Sequence, residues 1–349
     1  MFGTYDPRDV TLLLKDITGQ VEPQPASVRE KLIQSGVHYC EMLPLEYRPS
    51  ELYMRTYERA LRLNRGIMAR AAASVAEQIY REKGDLAVLV SLARAGTPID
   101  ILLKRWLRLR QGVELPHYSI SIIRGRGVDR NAMRYLLDRH APGDIQFVDG
   151  WTGKGAIQRQ LNAAMADFPG VDPGLAVLSD PAGVARLRGT RDDFLIPSAC
   201  LNATVSGLLS RTFLRDDLIG PEDFHGAAFY SELMGEDLTY AFIDAVTDAF
   251  PEQASVEPPL PADDGAFREV EAIRRHFGIR DVNLVKPGIG EATRVLLRRL
   301  PWKILVHSLE DPERLGHLYQ LAEEKGTPLE VWPLRHYRAC GLIRELADT

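Results

Sequence analysis

The sequence predicts an α/β protein built on a mostly parallel sheet, followed by a small C-terminal α/β sandwich domain. Three observations carry this. From Leu86 onward, short apolar strands alternate with amphipathic helices. The stretch 251–265 is Pro-rich, acidic and without helical or strand periodicity, and so reads as a linker. After it, short strand-like and helical segments alternate again. The expected division is 1–250, a linker at 251–265 and a second domain at 266–349, a natural count for 349 residues of which 45% are hydrophobic.

The elements follow in order. Ser50 to Arg81 carries apolar residues at helical spacing, giving one or two helices before the first strand. Leu86–Ser91 reads as a buried strand, Thr97–Arg110 as a helix, His117–Ile123 as a strand and Arg130–Arg139 as a helix. Ile145–Asp149 is then a strand, Lys154–Phe168 a helix and Leu175–Ser179 a strand. In such folds the ligand lies beyond the C-terminal strand ends where strand order reverses, which points to the loops after Ser91, Ile123, Asp149 and Ser179.

Composition narrows the class. No run approaches the roughly 18 apolar residues of a membrane span, and Met1 to Asp6 lacks a basic region followed by an apolar stretch, so a soluble cytoplasmic protein is expected. Cys40, Cys200 and Cys340 are odd in number and without a C-x-x-C pair, which argues against disulfides and a zinc site. The net charge is −5, yet Arg274 to Lys303 holds eight basic residues against Asp281 and Glu291, a local +6. Such a segment is either a nucleic-acid footprint or a solvated helix face.

The run Gln146–Gly155 passes from strand through a glycine-rich turn into a helix. Asp149 ends the strand and can accept from ribose hydroxyls. The Thr152 hydroxyl and the amides of Gly153, Lys154 and Gly155 can hold a 5′-phosphate at the helix start. A Walker A loop is excluded, because Val148 stands at its first glycine and Gly155 at its Ser/Thr. An unliganded glycine turn is the plainer reading.

In the second loop, Ser91, Arg94, Ala95, Gly96 and Thr97 can bind a diphosphate: small residues admit an anion, Arg94 adds charge, and Thr97–Pro98 starts a helix. Alone, it also reads as an ordinary capped helix start. In the third loop, Arg124 and Arg126 alternate with glycines and suit a leaving diphosphate, though alone they read as solvated arginines in a polar turn. Asp180, after the next strand, is a weaker candidate for the acceptor pocket.

At these residues the chain resembles the type I phosphoribosyltransferases, in which a diphosphate loop, a flexible loop and a ribose-phosphate loop follow in this order. Ser91–Pro98, His117–Arg124 and Phe147–Gly155 more closely resemble a bacterial family associated with tellurite-resistance and stress gene clusters. That family joins a phosphoribosyltransferase-like domain to a Pelota-like RNA-binding domain, and the resemblance covers most of the chain from about Leu86.

It implies a phosphoribosyltransferase using phosphoribosyl diphosphate, Mg2+ and a nucleobase-like acceptor, with Asp149, Arg124 and Arg126 as the reacting-site residues and no direct protein ligand assigned to the metal. The usual ribose-phosphate loop has a second acid where Gly150 and Trp151 stand here, so binding follows more directly than turnover.

Val285–Arg294 resembles the RNA-contacting loop of the kink-turn-binding family that includes Pelota. Lys286 and Arg294 would meet phosphates, Glu291 a base edge, and Gly288 and Gly290 would let structured RNA approach the backbone.

Two other functions stay open. One is a nucleotide-sensing RNA-binding protein without turnover. The other is a cysteine hydrolase using Cys200 and His225, since members of the family it resembles have been labelled cysteine proteases. Cys200 and Asn202 could instead line the acceptor pocket. A homo-oligomer is compatible with all three.

Overall fold

The computed structural model describes residues 2–258 and 264–344. Of the expected linker, 251–258 has no helix or strand, and 259–263 lies outside the described residues.

Strands β1 (Thr11–Leu12) and β2 (Lys15–Asp16) and helix α1 (Ala26–Gln34) precede α2 (Glu51–Lys83), a single 33-residue helix. Ser50 caps it by accepting from the Tyr53 amide, and Gly84, at φ 58°, ends it. Its alanine run lets it approach the sheet closely: a Cβ on Gly189 would lie 2.4 Å from the Ala71 Cβ.

Next come β3 (Val88–Leu92), α3 (Gly96–Gln111) and β4 (His117–Ile120). The expected strand through Ile123 is broken. Ile122–Ile123 (β5) folds back on Gly127–Val128 (β6) as a small hairpin that carries Arg124 and Arg126 at its turn.

The alternation continues with α4 (Arg130–Leu137), β7 (Ile145–Trp151), α5 (Ala156–Met165), β8 (Leu175–Ser179) and β9 (Leu187–Thr190). Gly226–Ala227 (β10) pairs with β2, and α6 (Thr239–Thr247) closes the domain.

The main sheet has the order β1-β4-β3-β7-β8-β9, and every pair in it is parallel. Strands β3 and β8 are buried at every residue, as a sheet covered on both faces requires. One face packs under α2, α3 and α6, and the other under α4 and α5. The chain runs from β3 to β4 on one side and then crosses to β7 on the other, so the topological switch lies between the C-terminal ends of β3 and β7.

The C-terminal domain is a mixed sheet with the order β11-β14-β12-β13, from β11 (Val285–Pro287), β12 (Pro301–Val306), β13 (Leu329–Val331) and β14 (Ala339–Ile343). Helix α7 (Gly265–His276) packs on one face; α8 (Ile289–Arg298) and α9 (Pro312–Glu324) pack on the other. The expected glycine loop through Arg294 therefore ends at Gly288: Gly290, Glu291 and Arg294 are helical.

This domain is seated on the C-terminal ends of the large sheet. One apolar cluster runs from Leu89 and Ile99 through Ile196 and Ala199 to Ile289, Leu296 and Leu318. At the seam, Asp193 accepts from the amides of Ile289 (3.0 Å) and Arg338 (2.8 Å), and the Arg338 guanidinium pairs with Asp192 at 2.5 Å.

Candidate functional site

The loops after β3 and β7, expected from the sequence to hold a diphosphate and a ribose phosphate, meet at the switch point. A Cβ on Gly96 would stand 2.7 Å from the Val148 carbonyl oxygen and 3.2 Å from the Asp149 Cα, so the two loops touch only because residue 96 is glycine. Ala95 and Gly96 sit at the start of α3, where the first amides lack an intrahelical acceptor. The peptide between Ala93 and Arg94 is cis.

The Asp149 carboxylate accepts from the Gly150 amide at 2.8 Å. Burial pushes its pKa up to about 6, against the pull of that amide and of Arg294. At the other end of the turn, Gly155 takes φ 73° and caps α5, which leaves Gly153, Lys154 and Gly155 around the helix start.

Several expected ligand groups are committed elsewhere. The Thr152 hydroxyl donates to Asp180 (2.6 Å) rather than facing a phosphate. Asp180 is fully buried and also accepts from the amides of Val184 and Ala185, so it braces the turn and does not line an acceptor pocket.

Ser91 and Thr97 are turned into the sheet. Ser91 Oγ lies 2.8 Å from His117 Nε2, and Thr97 Oγ1 lies 2.8 Å from Ser119 Oγ. Asp100 Oδ2 approaches the same His117 nitrogen at 3.2 Å, so Ser91, His117 and Asp100 do not form a relay through opposite ring nitrogens.

Arg94 keeps its place at the cleft. It is held by the Leu209 carbonyl (3.0 Å), Asn202 Oδ1 (2.9 Å) and Glu46 (3.3 Å), so Asn202 positions Arg94. Arg126 pairs with Glu41 at 3.1 Å, whereas the Arg124 guanidinium lies 5.7 Å from the Tyr39 ring centroid. Of the two, Arg124 is the better placed to meet a ligand.

The hydrolase pair is not assembled. His225 Nδ1 lies 2.8 Å from Ser121 Oγ, and its amide donates to Asp129. Cys200 is packed beside Arg298, and burial raises its thiol to about 12. A histidine does lie against Cys40, where His38 Nδ1 is 2.9 Å from Sγ, but burial raises that thiol to about 11.

The expected RNA contacts also change place. Gly288 and Gly290 are buried, the first against Asp193 and the second against the Trp151 ring, so RNA cannot reach this backbone while the domains are docked. The basic segment is likewise dispersed: Arg274 pairs with Glu271, Arg299 with Glu30 and Lys303 with Glu330, while Arg298 donates to the carbonyls of Ala199 and Leu201. It is not one nucleic-acid face.

Instead, positive charge gathers between the domains. Burial, together with Arg29 and Arg94, brings Arg211 down to about 9. Burial with Arg294 and Arg94 does the same to Arg298. Lys154 falls to about 7 through burial and the nearby Lys286 and Arg124, and its ammonium donates to the carbonyls of Val282 and Val285. Buried cations that depress one another leave a surplus that an anion would satisfy. Arg29, Glu46 and Arg211 escaped the sequence reading because they sit outside glycine loops and come beside Arg94 only through folding.

Residues 3–247 match the family model described as tellurite-like stress resistance cysteine protease StiP, and residues 265–345 match the PELOTA RNA binding domain. The protein named Cysteine protease StiP from Acinetobacter baylyi is 35% identical over 370 residues, covering 99% of this chain and 94% of that protein.

Among solved structures, a hypoxanthine-guanine phosphoribosyltransferase from Bacillus anthracis is 14% identical, covering 42% of this chain and 81% of that one at a TM-score of 0.24. A hypoxanthine phosphoribosyltransferase from Trypanosoma cruzi is 18% identical over 57% of this chain and 93% of that one at 0.25. At these scores the likeness decides nothing about function. With its first 250 residues matched almost throughout and a relative aligned end to end, the chain belongs to the tellurite-like stress resistance cysteine protease StiP family.

Proposed function

We propose that this protein binds phosphoribosyl diphosphate at the β3/β7 switch point and transfers the phosphoribosyl group to a nucleobase-like acceptor. The observation that carries the reading is the meeting of two loops that open helices at Asp149: Gly96, at the start of α3, abuts its backbone, the Gly153–Gly155 turn that opens α5 follows it, and Arg294 acts on its carboxylate. A ligand with phosphate at one end, diphosphate at the other and a ribose between them fits that arrangement.

In this reading Asp149 accepts from the ribose hydroxyls, and the amides of Gly153 to Gly155 hold the 5′-phosphate. Ala95, Gly96 and Arg94 hold the diphosphate, with Arg124 closing over it. The acceptor nitrogen forms a bond to the anomeric carbon as the bond to the diphosphate oxygen breaks. The electron pair leaves with the diphosphate and the acceptor's proton passes to solvent. Positioning and fixed charge supply the acceleration.

Among the described residues no group of three His, Cys, Asp or Glu side chains forms a cage for a metal ion. Asp149 therefore fits magnesium only as one carboxylate beside an ion carried in on the diphosphate, where the ion would supply charge neutralisation of the leaving group.

The C-terminal domain is the candidate for an RNA partner, through a face other than its buried glycine turn. A nucleotide sensor without turnover is the second reading; it is favoured by Lys154, which ties the phosphate turn directly to the C-terminal domain. No helix among the described residues is long and apolar enough to cross a membrane.

The deciding experiment measures phosphoribosyl diphosphate binding by calorimetry and diphosphate release with a panel of bases. Binding lost in Asp149→Asn supports the site, and release of diphosphate with one base supports turnover. Absent binding, or binding indifferent to Asp149→Asn, rejects the site.

A further inference from the structure

We infer that the C-terminal domain completes the phosphoribosyl site, with Glu291 standing in for the second ribose-binding acid that Gly150 and Trp151 leave out and Lys286 meeting the 5′-phosphate. This rests on the reading above and extends it: the ligand would be enclosed between the two domains.

The placement comes from several independent contacts. A Cβ on Gly153, in the phosphate turn, would lie 3.9 Å from the Glu291 Cγ and 4.0 Å from the Pro287 carbonyl oxygen. One on Gly290 would lie 3.5 Å from the Trp151 ring. The Arg294 guanidinium lies 4.4 Å from the centroid of the same ring and donates to Glu291 at 3.2 Å. The first turn of α8 is thus laid along the segment that replaces the usual acidic pattern, and it brings an acid with it.

The groups there are charged and incompletely satisfied. Burial would raise the Glu291 carboxyl, but Arg294, Lys286 and Arg124 together bring it below the ordinary range, so it is ionised. It acts on Asp149 as a like charge, so the two carboxylates are near enough to feel one another. Arg294 Nε is buried without a hydrogen-bond partner.

The Lys286 ammonium has no hydrogen bond among the described residues, and burial brings it down to about 8. Two carboxylates suit the neighbouring hydroxyls of a ribose, and an ammonium on the residue before Pro287, whose carbonyl lies against the Gly153 turn, suits a phosphate monoester.

The test uses the full chain and three probes: phosphoribosyl diphosphate, ribose 5-phosphate and inorganic diphosphate. Glu291→Gln keeps the shape of the side chain and removes its charge. It is expected to weaken ribose 5-phosphate at least tenfold while leaving inorganic diphosphate within about twofold, a split that a merely structural defect would not produce. Lys286→Met is expected to weaken both ribose-phosphate probes by a similar factor.

If Asp149→Asn weakens ribose 5-phosphate but Glu291→Gln and Lys286→Met do not, the shared site is overturned and the phosphoribosyl reading stands. If the wild-type chain binds neither ribose-phosphate probe, both fall. Equal loss of all three probes in Glu291→Gln makes the residue a structural one and also overturns the inference.

Discussion

The guanidinium of Arg294, in the C-terminal domain, lies 4.4 Å from the ring centroid of Trp151, at the end of strand β7 in the large sheet. This contact joins the end of β7, just before the Thr152–Gly155 turn, to the helix that covers it. A cation over an aromatic face is worth about 0.5–2 kcal/mol, depending on desolvation. Arg294→Ala should lower the unfolding free energy by an amount in that range, with a lower denaturation midpoint, and shift Trp151 emission to the red as its ring gains water. An unchanged midpoint and spectrum would show that the stacking contributes nothing in solution.

Asp193 is the buried carboxyl at the seam, accepting from Ile289 and Arg338 amides. Asp193→Ala leaves the buried Ile289 amide unpaired, at about 1–3 kcal/mol, together with the part-buried Arg338 amide. Its pH behaviour has a definite sign. Burial raises the folded pKa to about 7, while the unfolded value is about 4, so between them the folded state binds the extra proton. That contribution is present below about pH 4 and is lost as pH rises through 7. Urea denaturation between pH 5 and 8 should show a steeper fall for wild type than for Asp193→Asn, and parallel curves would refute the assignment.

Burial brings Asp149 up to about 6, and in the proposed site its ionised form accepts from the ribose hydroxyls. Affinity for ribose 5-phosphate should therefore rise between pH 5 and 7 more steeply in wild type than in Asp149→Asn. The difference between the two slopes removes the ligand's own ionisation. Identical slopes would mean that Asp149 does not face the sugar.

The three cysteines are buried, and burial holds their thiols at about 11 for Cys40 and about 12 for Cys200 and Cys340. Iodoacetamide at pH 8 should modify them only on unfolding. A rapidly alkylated Cys200 in the native protein, with loss of a hydrolytic activity in Cys200→Ala, would restore the hydrolase reading.

The strand, turn and helix start that form the candidate site were legible locally. Asp149, Gly153, Lys154 and Gly155 lie within seven residues of one another, and a strand, a glycine turn and a helix start are written in adjacent positions. The alternating elements of the parallel sheet were readable for the same reason, because period and turn chemistry are local properties.

The roles of Thr152, Asp180, Ser91 and Thr97 were not, since a hydroxyl or carboxylate reads as a free ligand until the fold shows which neighbour has taken it. Nor did Arg29, Glu46 and Arg211 carry any local pattern.

By itself, then, the sequence determined an α/β sheet with two glycine-containing strand-to-helix loops and a second domain after a Pro-rich stretch. Only the tertiary structure decided that the second domain is docked on the first. Gly288, Gly290, Glu291 and Arg294 form a motif that fits exposed RNA equally well in isolation. What turned it inward is the burial of Ile289 and Leu296 in the apolar cluster continuous with Ile99 and Ile196, together with the Asp193 acceptor waiting at the start of α8. Burial of apolar surface between residues about a hundred or more apart in the chain is a property of the fold, and no local spacing records it.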